Sequence, residues 1–438
     1  MNKSKKLYTA IFKSMLSRYS VYTANLISLM ILARIFTPDD FGTVAAVMVF
    51  YTFFQLMSEA GLGPAVINLN ELTVKDRNGI FGLTILIGIV LFLVFISMAK
   101  SLANLLGISN IVEVTPYIAI SIIFFSATIL PNALLLREQA FFKIANAAFI
   151  AETLSTCSVV YLVQIIEPLH ALALKGTIHS AIVFAFIWHF SKKTEFGRPT
   201  FGSKFTAIKP LLNFSGYQFG FNFINYFSRN LDKILVGKHL GTETLGTYDK
   251  AYQLMRYPML LLTFAMTPAI QPVIRKLSEK PKEVESIHTK FTFKLSIIGS
   301  AAGLAMYLLS DKIVLLILGN NWSDVIPIVK IFAIAIPVQV VLSTSGSFFQ
   351  AMKRSDLLFR SGLLSAIVVV IAIIIGIIQN DIIKVCWYLV IAFHINFIQA
   401  YYYMYTRVFS EKISKFLIRM IPASIIVLAI SLLEISKN

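Results

Sequence analysis

The chain has 438 residues, 57% of them Ala, Val, Ile, Leu, Met, Phe, Trp, Tyr or Cys and only 14% charged, with a mean hydropathy of +0.76. Soluble domains carry about 25% charged residues, so these charges cannot cover a water-soluble particle. That excludes a cytosolic enzyme, a disordered chain and a secreted disulfide scaffold, and leaves a polytopic helical membrane protein. The 39 Lys and Arg against 22 Asp and Glu give a net charge of +17. In a soluble chain this excess would point to nucleic acid. In a membrane protein it belongs in cytoplasm-facing loops, and no nucleic-acid partner is expected. Cys157 and Cys386 lie in apolar runs, with neither disulfide nor metal spacing.

A helix crosses roughly 30 Å of hydrocarbon with about 20 apolar residues. Such runs fall near 15–36, 41–64, 79–99, 113–136, 142–166 and 168–190, and again near 211–238, 245–273, 291–310, 323–351, 358–379, 382–406 and 416–434. That makes thirteen spans, the last with Arg419 close to its start. The polar stretch SKKTEFGRPTFGSKFTAIKP separates the two series, and the loops elsewhere are too short for a soluble domain. With MNKSKK in the cytoplasm, the loops on that side hold most of the 39 basic residues, which orients the chain with its N terminus inside. The first apolar run is long and lacks a small-residue cleavage site, so it reads as a span and not as a cleaved signal.

The halves repeat. Arg34-IFTPDDFGTV and Lys238-HLGTETLGTY align at a constant offset of 204, matching Asp39 with Glu243, Gly42 with Gly246 and, further on, Pro64-Ala65 with Pro268-Ala269. A second echo sets Arg137 and Lys143 against Arg354 and Arg360. An even number of spans per copy keeps both copies in one orientation, with a cavity expected between parallel repeats. The expected organisation is a six-helix lobe over residues 1–190, a basic cytoplasmic linker over 191–210, a second six-helix lobe over 211–407 and an extra helix within 408–438. Thr37 reads as a helix N-cap with Pro38 at the first helical position and acids in the first turn, and Thr242-Glu243 as its counterpart.

Ionisable groups near the centre of a span cost about 2.5–3.5 kcal/mol on insertion scales, so they usually face a cavity. In the seventh span Gln218, Asn222, Asn225, Arg229 and Asp232 recur at steps of four and three, which is one helical face. Arg256 lies about eleven residues into the eighth span, near the midplane at about 1.5 Å per residue, with no acid three or four positions away. The 204 offset aligns Arg229 with Asn25 and Arg256 with Thr52, so the second half carries more cations at shared positions. Arg18 adds a cation low in the first span, and Thr52, Gln55 and Glu59 form a polar row on the second. Glu152 is a single acid inside the fifth span, readable as a proton site or as a buried partner for an arginine. Arg34 and Lys238 close their spans near headgroups or helix C-termini. GxxxG at Gly216–Gly220 and Gly299–Gly303 reads as close helix packing. His170, His179, His189, His239, His288 and His394 show no ligand spacing, and no phosphate-binding loop occurs. Neither metal nor cofactor is expected.

The stretch ARIFTPDDFGTVAAVMVFYTFFQLMSEAGLGPAVI, with SRNLDKILVGKHLGTETLGTYDKAYQLMRYP in the second half, resembles the bacterial polysaccharide exporters. These are the Wzx-type flippases of lipid-linked oligosaccharides, within the multidrug/oligosaccharidyl-lipid/polysaccharide superfamily. The resemblance runs from about Leu7 to Arg407. It implies two six-helix lobes in a V, opening alternately to either side of the bacterial inner membrane. The implied substrate is an undecaprenyl-pyrophosphate-linked repeat unit for O-antigen, capsule or exopolysaccharide. Thirteen spans depart from the twelve or fourteen of many members, which bears on the last helix. On this reading Arg229, Arg256 and Arg18 hold the pyrophosphate, since guanidinium groups bind it in two-pronged form. Gln218, Asn222, Asn225 and Asn25, with Tyr217 or Tyr226, meet sugar hydroxyls. Glu59, Glu152 and Asp232 are coupling or structural acids, and the coupling ion, proton or sodium, stays open. The protein is expected to be a monomer that works beside membrane lipid and the polysaccharide polymerase machinery. The rivals are a cation-coupled multidrug exporter, which needs an acidic cavity, a glycosyl polymerase or ligase, which typically carries a large periplasmic loop, and a passive scaffold.

Overall fold

The computed structural model describes residues 19–59, 62–69, 72–202, 226–227, 230–264, 267–420, 429 and 432, and no strand occurs among them. The chain forms two compact units, Met1–Gly246 and Thr247–Asn438. The first contains α1 (Tyr19–Leu32), α2 (Pro38–Glu59), α3 (Leu62–Asn68), α4 (Val74–Leu106), α5 (Ile111–Arg137), α6 (Phe141–Leu162) and α7 (Pro168–Ser191), then α8 over 230–240. Next comes α9 (Thr242–Met259), whose first residues belong to the first unit. The second unit continues with α10 (Thr267–Arg275), α11 (Pro281–Leu308), α12 (Ser310–Ile317), α13 (Val325–Leu342), α14 (Ser345–Ala351), α15 (Ser355–Ile378) and α16 (Ile382–Tyr403), and α17 over 413–420.

Among the described residues, nine helices are long and apolar enough to cross a membrane: Pro38–Ile67, Val74–Leu106, Ile111–Arg137, Phe141–Leu162, Pro168–Ser191, Pro281–Leu308, Val325–Ala351, Ser355–Ile378 and Ile382–Phe409. Each falls on an apolar run read from the sequence. The run at 245–273 departs from a single helix: α9 carries Pro258 and passes into a π-helical turn, Leu260–Phe264, before α10 begins. Proline removes one amide donor from the ladder, and kinks and π turns gather at such places.

In the first unit α5 packs against α2, α4 and α7, and α6 packs on α7. Lipid is as apolar as leucine, so close backbone approach and interhelical hydrogen bonds must hold such helices together. Gly88 of α4 abuts Ser126 of α5, where a Cβ would stand 2.7 Å from the serine Cβ. The Ser126 hydroxyl in turn meets Ser58 of α2. Thr37 accepts a hydrogen bond from the Asp40 amide at 3.2 Å and the Asp40 carboxylate accepts one from the Thr37 amide at 2.9 Å, closing the expected cap on α2. Thr242 behaves differently, because its hydroxyl donates to the Asp39 carboxylate. Arg34 donates to the Met30 carbonyl at the end of α1, as a terminal cation should.

The second unit is built around α11 on α13 and α13 on α16. Gly299 and Gly303 form the first contact: a Cβ on Gly303 would stand 2.8 Å from the Ala333 carbonyl oxygen, and one on Gly299 3.3 Å from Pro337 Cα. Of the two GxxxG motifs, Gly299–Gly303 is a packing seam, and Gly216–Gly220 lies outside the described residues. Buried His288 is ringed by Phe348, Tyr401, Tyr405, Phe409 and Phe416, with Nδ1 3.0 Å from the Tyr405 hydroxyl. Phe416 attaches α17 to this aromatic hub.

Candidate functional site

Arg18, Gln218, Asn222, Asn225 and Arg229 lie outside the described residues. Asn25 is exposed on α1 and Asp232 is buried on α8. Arg256 is exposed on α9 and makes no hydrogen bond or ion pair among the described residues. Tyr226 donates its hydroxyl to the Val49 carbonyl, so that hydroxyl already has a protein acceptor. Phe227 lies edge-on to the Tyr226 ring, 5.0 Å from Phe53 and 6.5 Å from Phe50 between ring centroids.

The polar row on α2 divides. Thr52 donates to the Met48 carbonyl at 2.8 Å and Gln55 to the Tyr51 hydroxyl at 2.6 Å, so both are satisfied within their own helix. Glu59 instead lines a cavity of about 290 Å³ between α2, α3 and α5, with Thr128 and Asn132 of α5 as the other polar side chains and Ile67, Phe125 and Leu136 among the apolar ones. Thr128 bonds back to the Phe124 carbonyl at 2.7 Å. Glu59 and Asn132 are half-buried and have no side-chain partner among the described residues.

Glu152 sits in a different constellation. Its carboxylate is buried on α6, 2.7 Å from Lys175 Nζ and 3.7 Å from His179 Nε2, both on α7. Beside it Ser28 of α1 and Thr156 of α6 share a hydrogen bond of 2.7 Å. Of the two readings open in the sequence, an arginine partner is replaced by a lysine and a histidine. Lys175 and His179, four residues apart in an apolar span, were the available signal, since that spacing puts two cationic groups on one helical face. Where α5 and α7 begin, His170 lies 3.7 Å from Glu113 and 3.5 Å from Glu167. Both acids are exposed, an ordinary arrangement for surface ion pairs.

The basic linker is legible over residues 192–202 and folds back on the first unit. Arg198 covers the Trp188 ring at 4.1 Å and Arg137 the Phe196 ring at 4.5 Å. Arg77 donates to the Phe196 carbonyl, and Trp188 Nε1 donates to the Pro199 carbonyl at 3.0 Å. Arg77, Arg137 and Arg198 thus fix the segment against the first unit.

Apolar spans with polar groups such as Glu152 and Asp232 turned into the protein define a polytopic helical membrane protein. Its fold is that of a solved structure described as lipid II flippase MurJ in an inward closed conformation, at a TM-score of 0.76 and 15% identity, covering 97% of this chain and 92% of that one. Residues 31–327 match the family described as polysaccharide biosynthesis protein, and the chain belongs to that family. It is similar to the lipopolysaccharide biosynthesis protein WzxC of Escherichia coli K12, 23% identical over 355 residues that span 80% of this chain and 71% of that protein. It is also similar to the teichuronic acid biosynthesis protein TuaB of Bacillus subtilis 168, 22% identical over 307 residues, 70% of this chain and 63% of that protein. The resemblance read from the sequence holds, and the chain is a transporter, not an enzyme.

Proposed function

We propose that the protein carries undecaprenyl-pyrophosphate-linked oligosaccharide units from the cytoplasmic to the periplasmic leaflet of the inner membrane by alternating access, for polysaccharide assembly. Membership of the polysaccharide biosynthesis family over residues 31–327 carries the reading. A glycan-bearing pyrophosphate cannot cross hydrocarbon unaided, because each desolvated charge is prohibitive. Arg229, Arg256 and Arg18 supply charge-assisted hydrogen bonds to it, while Gln218, Asn222, Asn225 and Asn25 meet sugar hydroxyls. The exposed Arg256 guanidinium, with no partner among the described residues, suits this role.

The reading keeps two six-helix lobes, 1–190 and 211–407, joined on the cytoplasmic side by 191–210, with a further helix in 408–438 and the N terminus inside. The protein works as a monomer beside the polymerase machinery, driven by a proton gradient, a sodium gradient or membrane potential alone. The test is a strain that makes the lipid-linked unit but lacks its exporter. Supplying this chain should restore polymer at the cell surface and clear the unit from the inner leaflet. A well-expressed chain that leaves the unit trapped inside refutes the proposal.

A further inference from the structure

We infer that the cavity of Glu59, Thr128 and Asn132 is a sugar subsite, which takes a hydroxyl- or amine-bearing ring of the glycan and rejects its pyrophosphate. This deepens the transport reading and rests on it. Glu59 and Asn132 lie in helices long and apolar enough to span the membrane, line one cavity and have no protein partner among the described residues. An ionisable or amide side chain left unpaired at such a place carries a desolvation penalty, unless water or a ligand answers it. Their neighbours on α2 show the contrast, since Thr52 and Gln55 each find a hydrogen-bond partner inside their own helix. Two unanswered polar groups on different helices converge on the same space.

The donor and acceptor inventory fixes the ligand class. An ionised carboxylate only accepts hydrogen bonds, whereas an amide both donates and accepts. A matching ligand brings O–H or N–H donors to Glu59 and an acceptor or donor to Asn132, as a sugar ring with vicinal hydroxyls does. A phosphate oxygen brings no such donor. The rest of the wall is apolar, with Phe125 the aromatic side chain among the lining residues. A volume of about 290 Å³ is too large for a lone ion and lies at the lower edge of the ~300–1,000 Å³ typical of small-molecule clefts. Glu59, read from the sequence as a coupling or structural acid, thereby becomes a glycan ligand.

The test uses the full chain in lipid nanodiscs, with Cys157 and Cys386 replaced by alanine and Leu136→Cys as a reporter on the cavity wall. Two probes are added in turn: the lipid-linked repeat unit extracted from the producing strain, and undecaprenyl pyrophosphate without sugar. The repeat unit should slow labelling of the reporter by a soluble maleimide, and the bare pyrophosphate lipid should not. Glu59→Gln and, separately, Asn132→Leu should each raise the concentration needed for protection at least tenfold. Both changes nearly keep side-chain volume, and the labelling rate without ligand reports whether the cavity has kept its shape. Equal protection by both lipids, or protection unchanged in both variants, overturns the subsite. Protection by the organic cation tetraphenylphosphonium but not by the repeat unit also overturns it, in favour of a cation site. Binding of the repeat unit, measured by pull-down, without any protection of the reporter leaves the transport reading standing and removes the subsite alone. No binding at all removes the transport reading as well.

Discussion

Gly42 and Gly246, 204 residues apart in the chain, lie backbone to backbone and do so reciprocally. A Cβ on Gly42 would overlap the Thr242 carbonyl and stand 2.9 Å from the Gly246 nitrogen; one on Gly246 would overlap the Pro38 carbonyl and stand 3.0 Å from the Gly42 nitrogen. Pro38 and Thr242 are related by the same offset as the two glycines. The first turns of α2 and α9 thus cross at matching positions of the two repeat stretches. The Thr242 hydroxyl fastens the crossing to Asp39.

Alanine at either glycine should therefore separate these turns. Overpacking of this kind costs about 1–3 kcal/mol, and here the obstacle is backbone, which cannot rotate away. Gly42→Ala and Gly246→Ala should each lower the thermal midpoint of the purified protein, measured by the monodisperse fraction surviving heating. Gly176→Ala is the control, since nothing lies within 4 Å of its added Cβ and alanine is the better helix former. Equal midpoints for all three would refute the tight crossing.

Removing Lys175 should strand a buried carboxylate. Breaking a fully buried ion pair costs about 3–5 kcal/mol. Lys175 is 24% exposed and His179 offers a second contact, so a loss of about 1–3 kcal/mol is expected for Lys175→Met. Adding Glu152→Gln should return most of it, because the amide needs no counter-charge. A double-mutant cycle on thermal stability reads the coupling, and a coupling near zero would mean that the pair is ornamental.

The strapped linker makes the topology testable. Trypsin should cut between Lys192 and Arg198 only in inverted membrane vesicles, and more slowly in the wild type than in Trp188→Ala. The alanine removes a cation–π contact of about 0.5–1 kcal/mol at an exposed site together with the indole bond to Pro199. Cleavage in right-side-out vesicles would reverse the orientation read from the loop charges.

Hydropathy was sufficient to place the nine spans found among the described residues, because crossing hydrocarbon constrains every residue of a window of about 20 residues. It was insufficient for the partners of polar groups. The pairing of Glu152 with Lys175 spans a helical hairpin, and no i to i+4 rule reaches across 23 positions. Thr52, Gln55 and Glu59 read as one row, yet only packing of α5 against α2 and α3 shows that the third faces a cavity while the first two are satisfied at home. Gly299 and Gly303 were legible as a seam because small residues at that spacing have little other use in lipid.

Arg256 carries the last prediction. It stands exposed on α9 without a partner among the described residues, so its removal should leave folding intact and show itself in transport. Hydrogen bonds to charged groups are worth about 1.5–3 kcal/mol, which corresponds to roughly a ten- to hundredfold loss in productive binding of a pyrophosphate. Arg256→Gln should reduce polymer export to that extent at unchanged membrane expression and unchanged thermal midpoint. Arg256→Lys should recover part of it, because the ammonium keeps the charge but loses the planar fork. Combining Arg256→Gln with Arg229→Gln should abolish export if both hold one anion. A structural arginine would behave otherwise: expression and midpoint would fall with export, and lysine would rescue all three together. Normal export by the well-expressed double variant would remove both arginines from the pyrophosphate site.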